Sequence, residues 1–134
     1  MIEYWEKYAG GPTKPREERL HVTINKKCVI FLNRNIHNLL SNAKAVVLFF
    51  NRKDGVIGIR PANERLTEAF PVHDKGGYHV INASPFCRHF GIKVEATEAF
   101  VNPEFDDTGT LRLNLAKTVS VVHKKRRASQ DMVS

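Results

Sequence analysis

The sequence predicts a mainly β protein with two short helices, an α+β fold in which two β-β-α-β-β half-domains interleave into one small β-barrel. Three observations support this fold class. Runs of β-branched and aromatic residues alternate with turn residues along most of the chain. Only two short stretches have the three-and-four spacing of an amphipathic helix. The order of strands and helix in the first half then recurs in the second half.

Four strands are predicted in the first half-domain, residues 20–62. Val22 and Ile24 alternate with polar neighbours, which is typical of a half-buried strand. The Asp54-Gly55 pair lies between two β-branched runs and is a strong hairpin signal. The four predicted strands cover residues 22–25, 29–32, 46–50 and 56–59.

One helix is predicted between the second and third strands of this half. Asn33 is a suitable N-cap, because its side-chain oxygen can accept a hydrogen bond from an N–H of the first helical turn. Ile36, Leu39 and Leu40 follow with the spacing that places apolar residues on one helix face. We therefore expect a short helix that buries these three side chains.

The second half-domain, residues 63–117, repeats this order of elements. Its predicted helix begins with Ser84 as the N-cap and Pro85 in the first helical position. Gly91 suits the position just after the end of this helix. The predicted strands cover residues 70–72, 78–81, 96–101 and 110–115.

The correspondence between the halves rests on glycine and apolar positions, since their overall identity is low. At an offset of 50 residues, Ile30 matches Val80, Ile36 matches Phe86 and Leu40 matches Phe90. At an offset of 54 residues, Gly55 matches Gly109, Ile57 matches Leu111 and Ile59 matches Leu113. Each half alone is too short to bury a good core, so we expect the halves to share one.

Two terminal segments flank the half-domains. Residues 1–19 form an N-terminal arm with an aromatic cluster of Tyr4, Trp5 and Tyr8. Exposed aromatic clusters are costly, so we expect these side chains to pack on the barrel or to form a homodimer contact. Residues 118–134 form a basic tail that we expect to be disordered.

The apolar runs and the first residues of the chain indicate neither a membrane span nor a secretory signal. The chain has 134 residues, 42% of them hydrophobic, and no apolar run approaches the roughly 20 residues of a membrane span. The first residues carry two glutamates and no continuous apolar core, so they do not resemble a secretory signal. We therefore expect a cytoplasmic protein without a membrane contact.

The reactive side chains give little support for catalysis. The sequence contains no Gly-x-Ser-x-Gly, phosphate-binding loop or HExxH motif, and no histidine has metal-ligand spacing to a cysteine. We therefore predict no enzyme activity, no metal and no cofactor. Cys28 and Cys87 could pair, although two reduced, partly buried thiols are the expected state in the cytoplasm.

The formal net charge of +7 is concentrated in two parts of the chain. With histidine neutral, residues 21–62 carry +6 and the tail from residue 118 carries +3. Residues 63–117 carry −2, and residues 1–20 are neutral. Concentrated positive charge is typical of a nucleic-acid binder, and a solvated basic surface explains it equally well.

The pattern of the first half spans residues 22–25, 29–33, 36–40 and 46–59. This order of strand, strand, helix and hairpin resembles the AbrB/SpoVT/MazE-like swapped-hairpin proteins, which include bacterial transition-state regulators and antitoxins. With the second half included, the arrangement is similar to that of the tandem-copy MraZ proteins. The resemblance implies a small β-barrel of two interleaved copies. At the turn into the second strand the family usually has Gly-Arg, where this chain has Cys28-Val29.

The resemblance also implies a DNA-binding site. In that family, basic residues on the first strand, at the turn before the second strand and at the helix start grip the DNA. The corresponding residues here lead into the first strand or lie at the turn and at the helix start, and two more lie in the hairpin loop. These candidate DNA-binding residues are Arg19, His21, Lys26, Lys27, Arg34, Arg52 and Lys53. For the hairpin-loop pair, a solvent-facing turn is the favoured interpretation.

The sequence therefore predicts a DNA-binding transcriptional regulator of the swapped-hairpin type. The basic first half would supply the DNA contacts. The alternative is an antitoxin-like protein-interaction or assembly module with the same fold and no DNA binding. In that case the acidic second half would dock a protein partner.

Overall fold

The computed structural model describes residues 20–121 and shows a mainly β, α+β fold of two antiparallel sheets and two short helices. The predicted fold class is confirmed at this level. The strands are β1 (Val22–Ile24), β2 (Val29–Asn33), β3 (Ala45–Asn51), β4 (Val56–Pro61), β5 (Phe70–Pro71), β6 (His73–Asp74), β7 (Tyr78–Asn82), β8 (Glu98–Phe100), β9 (Glu104–Phe105), β10 (Leu111–Asn114) and β11 (Thr118–Ser120). The helices are α1 (Arg34–Leu39) and α2 (Ser84–Phe90).

Some sequence predictions concern segments outside the described residues. These are the N-terminal aromatic arm with Tyr4, Trp5 and Tyr8, the candidate Arg19, and residues 122–134 of the tail. Between residues 20 and 121, no helix has the length and apolar character needed to cross a membrane.

Both sheets combine strands from the two halves of the chain. The six-stranded sheet has the order β11-β8-β1-β2-β7-β6, and the five-stranded sheet has the order β5-β3-β4-β10-β9. Strand β2 pairs with β7 in the first sheet, and β4 pairs with β10 in the second. Strands β1 and β8 also pair in the first sheet, and β3 and β5 pair in the second, so four antiparallel backbone ladders join the two halves.

The registers of the β2–β7 and β4–β10 ladders follow the offsets between the halves. The opposed pairs include Ile30 with Ile81 and Phe31 with Val80 in β2–β7, and Ile57 with Leu113 and Ile59 with Leu111 in β4–β10. In β2–β7, adding 50 to the number of the first-half residue and subtracting 50 from that of the second-half residue converts the pair Ile30–Ile81 into the pair Val80–Phe31. In β4–β10, the same operation with 54 converts the pair Ile57–Leu113 into the pair Leu111–Ile59. A reciprocal register of this kind is expected of strands that are related by a local twofold axis.

One apolar core lies between the sheets, and both halves contribute to it. The side chains without solvent exposure include Ile24, Ile30, Leu32, Ile36, Leu40, Ile57, Ile59, Ile81, Leu111 and Leu113. They come from strands of both sheets and from α1. Because apolar burial is the main stabilising term, the halves depend on one another for stability.

Helix α1 begins as the sequence predicts, but it buries fewer side chains. The Asn33 side-chain oxygen accepts a hydrogen bond from the Ile36 N–H at 3.1 Å, which confirms the predicted N-cap. Ile36 and Leu40 are fully buried, whereas Leu39 is 56% exposed. The prediction for Leu39 was wrong because a helix of one and a half turns presents only a narrow stripe to the core, and Leu39 lies beside that stripe.

Helix α2 ends as predicted and begins differently. Gly91 follows it with a φ of 68°, in the left-handed region that favours glycine. Ser84 is the first residue of the helix, and the N-cap is Ala83, which makes no side-chain capping bond. The Ser84 N–H instead donates to the Asn82 side-chain oxygen at 3.2 Å, so an asparagine two residues earlier takes over the predicted role.

The remaining differences from the predicted elements are short strands. The segment expected at residues 70–72 forms β5 and β6 on either side of Val72. Strands β9 and β11 were not predicted, and β11 lies inside the tail expected to be disordered. Strand β11 pairs with β8. It follows a turn in which the Lys117 N–H donates to the Asn114 carbonyl oxygen.

Candidate nucleic-acid interface

The turn between β1 and β2 is held together by one asparagine. The Asn25 side-chain oxygen accepts hydrogen bonds from the Lys27 and Val29 N–H groups, both at 3.0 Å. The Asn25 carbonyl oxygen accepts another from the Cys28 N–H at 2.8 Å. Because these bonds turn the chain within a few residues, the side chains of Lys26 and Lys27 are exposed at the tip.

This turn adjoins the beginning of α2. The Cys28 carbonyl oxygen accepts a hydrogen bond from the Ala83 N–H at 3.0 Å. The far end of α2 meets the turn between β3 and β4, where the Arg52 guanidinium carbon lies 5.2 Å from the centroid of the Phe90 ring. Helix α2 therefore lies between two basic turns that both come from the first half of the chain.

Helix α2 adds a further cation to this face. Arg88 is exposed, and its guanidinium donates to the Ser84 hydroxyl oxygen at 2.9 Å. We call the face formed by α2 and the two turns the basic surface. Its cations are Lys26, Lys27, Arg52, Lys53 and Arg88.

No carboxylate within residues 20–121 forms an ion pair with a cation of the basic surface. In the described part of the chain, the only close approach of a basic and an acidic side chain is between His79 and Asp74, with 3.9 Å between Nε2 and Oδ1. Asp54 lies in the same turn as Lys53, but its carboxylate accepts a hydrogen bond from the Asn51 side-chain amide at 3.1 Å. The basic surface is therefore available to attract an anion.

The structure divides the predicted DNA-binding residues between two ends of the molecule. His21 lies beside the start of α1, because its carbonyl oxygen accepts a hydrogen bond from the Asn33 N–H at 3.1 Å. Arg34, the first residue of α1, lies at the same end and is exposed. Strand β2 lies between this end and Lys27 and has five residues. At the usual rise per residue of a strand, the two ends are about 17 Å apart.

Arg88 is the residue that sequence reasoning missed. It lies in the half whose net charge is −2, so the distribution of charge along the sequence does not point to it. Its i, i+4 spacing from Ser84 is visible in the sequence, but it indicates only a contact along one helix. The packing of α2 between the turns of the first half makes Arg88 part of the basic surface.

Two stacked histidines join the halves at the other end. The rings of His37 on α1 and His79 on β7 are 3.7 Å apart between centroids, with an angle of 19° between their planes. His37 Nε2 lies 2.8 Å from the Ala43 carbonyl oxygen. Burial lowers the pKa of His79, and the nearby charges of His37 and Arg34 lower it further, whereas Asp74 raises it.

This lowered pKa predicts a loss of stability in mild acid. Below the ordinary histidine pKa of 6.5, the unfolded chain binds a proton at His79 more readily than the folded chain does. The free energy of unfolding should therefore fall as the pH drops from about 6.5 towards the lowered pKa of the folded state. Urea denaturation across this range should show a shallower pH dependence for His79→Phe, which cannot titrate.

The exposed His89 offers a matched control for this prediction. His89→Gln should keep the pH dependence of the natural protein. If His79→Phe retained the full pH dependence, another group would have to account for it.

Between residues 20 and 121, no group of three or more His, Cys, Asp or Glu side chains could hold a metal ion. Comparison with known proteins gives no match, whether with family models, curated proteins or solved structures.

Proposed function

We propose that this chain is a DNA-binding protein and a transcriptional regulator of the swapped-hairpin type. The observation that carries the proposal is the basic surface, where five exposed cations on α2 and two turns have no carboxylate partner within residues 20–121. Cations at strand tips can reach the phosphates of a duplex, and such contacts supply most of the affinity for nucleic acid.

The proposed architecture is two interleaved half-domains, residues 20–62 and 63–117, around one small barrel. The reciprocal registers of β2–β7 and β4–β10 support the interleaving. The chain also passes from one sheet to the other through β8 and β9, and the Val72 N–H donates to the Lys44 carbonyl oxygen at 2.9 Å beside β3. Both links favour closure of the sheets into a barrel.

The two ends of this architecture differ in charge. At an offset of 54 residues, Arg52 and Lys53 correspond to Asp106 and Asp107. The turn equivalent to the basic β3–β4 turn is therefore acidic, and phosphates would be repelled there. We accordingly place the DNA contact at the α2 end, with Lys26, and not at the α1 end.

Fluorescence anisotropy with a labelled DNA duplex of mixed sequence, measured across a salt series, tests this proposal. The logarithm of the affinity should fall linearly with the logarithm of the salt concentration, with a slope of about −0.9 per phosphate neutralised. Lys26→Ala/Lys27→Ala should weaken binding and reduce that slope by about two units, one for each lost contact. Arg52→Ala/Lys53→Ala should do the same.

The matched control is Lys44→Ala/Lys75→Ala, which removes the same charge outside the basic surface. All six substituted residues in these three double variants are exposed. Each double variant should therefore keep the free energy of unfolding within about 0.5 kcal/mol of that of the natural protein. If the control weakened binding as much as Lys26→Ala/Lys27→Ala, net charge alone would explain it. If the natural protein did not bind at low salt, the DNA proposal would be wrong.

The second candidate function is a protein-interaction module, and an apolar cleft favours it. A cleft of about 370 Å³ lies beside the end of α2, with Phe90, Ile92 and Val94 among its lining residues. Glu95 and Glu98 from the acidic half also line it, together with the single cation Lys93. A partner segment with one apolar side chain next to a basic residue would complement this cleft. An absence of DNA binding together with loss of partner binding in Ile92→Glu would support this candidate.

A further inference from the structure

The two cysteines of the chain meet between the halves. Cys28 ends the β1–β2 turn and is 8% exposed, and Cys87 lies on α2 and is 2% exposed. Both side chains belong to the same buried core, and the two thiols lie close enough to interact electrostatically. Both thiols are unoxidised in the structure.

The backbone around Ala83 holds the two cysteines in this position. The Ala83 N–H donates to the Cys28 carbonyl oxygen at 3.0 Å, and the Ala83 carbonyl oxygen accepts from the Cys87 N–H at 2.9 Å. One residue therefore ties both backbones together. The β1–β2 turn and α2 are thereby fixed on the same residue, which places the two cysteines next to one another.

Cys28 occupies an unusual backbone conformation for its residue type. Its φ is 61°, in the left-handed region where a side chain is disfavoured and glycine is preferred. Glycine would remove this strain, but it would also remove the thiol that contacts Cys87. Strained backbone conformations cluster at functional sites, and Cys28 combines such a conformation with a thiol beside Cys87.

We propose that Cys28 and Cys87 are a site of reversible disulfide formation, oxidised by hydrogen peroxide. The disulfide would link the β1–β2 turn of the first half to α2 of the second half. This inference goes beyond DNA binding and does not depend on it.

The reaction has two balanced steps. In the first, the Cys28 sulfur attacks one peroxide oxygen, the O–O bond breaks, and a sulfenic acid and one water form. In the second, the Cys87 sulfur attacks the Cys28 sulfur, the S–O bond breaks, and a second water leaves. The two thiols lose two electrons and two protons, which the peroxide takes up as it becomes water.

The environments of the two thiols assign the order of these steps. Cys28 is the more exposed of the two and is reached first by a small oxidant. Burial raises the pKa of Cys87 to about 12, and the neighbouring Cys28 thiol contributes to this shift. Cys87 is therefore a thiol at neutral pH and reacts second, with the sulfenic acid already in contact. Since the thiolate is the reactive form, oxidation should accelerate as the pH rises.

The test is to treat the full reduced chain with hydrogen peroxide and to measure its intact mass and its free thiols in denaturant. We expect a mass decrease of two hydrogens, the loss of both thiols, one peptide containing both cysteines, and full reversal by dithiothreitol. The thermal midpoint should rise on oxidation, because the link closes a long loop in the unfolded chain. In Cys87→Ser, dimedone should trap a sulfenic acid on Cys28.

The proposal fails if both thiols persist under peroxide that oxidises a small free thiol. It also fails if the disulfide forms only between chains, seen as a doubled mass without reductant. Sulfinic acid on either cysteine, without an internal disulfide, would overturn it as well. The measurement on the natural protein decides these outcomes even if Cys87→Ser does not fold.

Discussion

Ile57→Ala should lower the free energy of unfolding by about 2–5 kcal/mol, the usual cost of truncating a buried aliphatic side chain. Ile57 has no solvent exposure and lies on β4, opposite Phe50 on β3 and Leu113 on β10. The substitution leaves a cavity where the two halves are joined. The loss could consume a large part of the roughly 5–15 kcal/mol that stabilises a domain.

Both halves should unfold together in this variant, because neither has a core of its own. Urea denaturation followed by far-UV circular dichroism and by amide resonances from both halves would measure the loss and its cooperativity. Leu39→Ala is the control, since Leu39 is 56% exposed and should change the stability by less than about 0.5 kcal/mol. Two separate transitions would show that the halves are independent domains.

The strands that build the shared core were predictable because each has its own local signal. The alternation at Val22 and Ile24 and the turn at Gly55 define β1 and the β3–β4 hairpin without knowledge of the rest of the chain. Strands β9 and β11 have two and three residues, too few for a periodic pattern. They form because β10 and β8 already present free edges to them.

The candidate site was predictable only in part, for a similar reason. A charged turn such as Lys26-Lys27 can be recognised from adjacent residues. The contact of Arg52 with Phe90 and the place of Arg88 beside the same turns depend on how α2 packs against the other half. The stacking of His37 on His79 and the contact of Cys28 with Cys87 have the same origin. Contacts between halves carry no local sequence signal.

Phe86→Ala should be the most costly substitution on α2, at about 3–5 kcal/mol of unfolding free energy. Phe86 is 6% exposed, and its ring lies 6.3 Å from that of Phe50 and 5.1 Å from that of Phe90, between centroids. Removing it opens a cavity between α2 and β3. The helix has only seven residues, so it depends on this packing and not on its own propensity.

Phe90→Ala should cost roughly half as much, because Phe90 is only partly buried and its outer face is covered by Arg52. Urea denaturation of the two variants gives the comparison. The Phe90 variant should also bind DNA more weakly under conditions in which it is fully folded. The reason is that Arg52 loses the aromatic ring that holds its guanidinium in place. Equal costs for the two substitutions would show that Phe90 is covered in solution. A concentration-dependent midpoint would then identify a second copy of the chain as the cover.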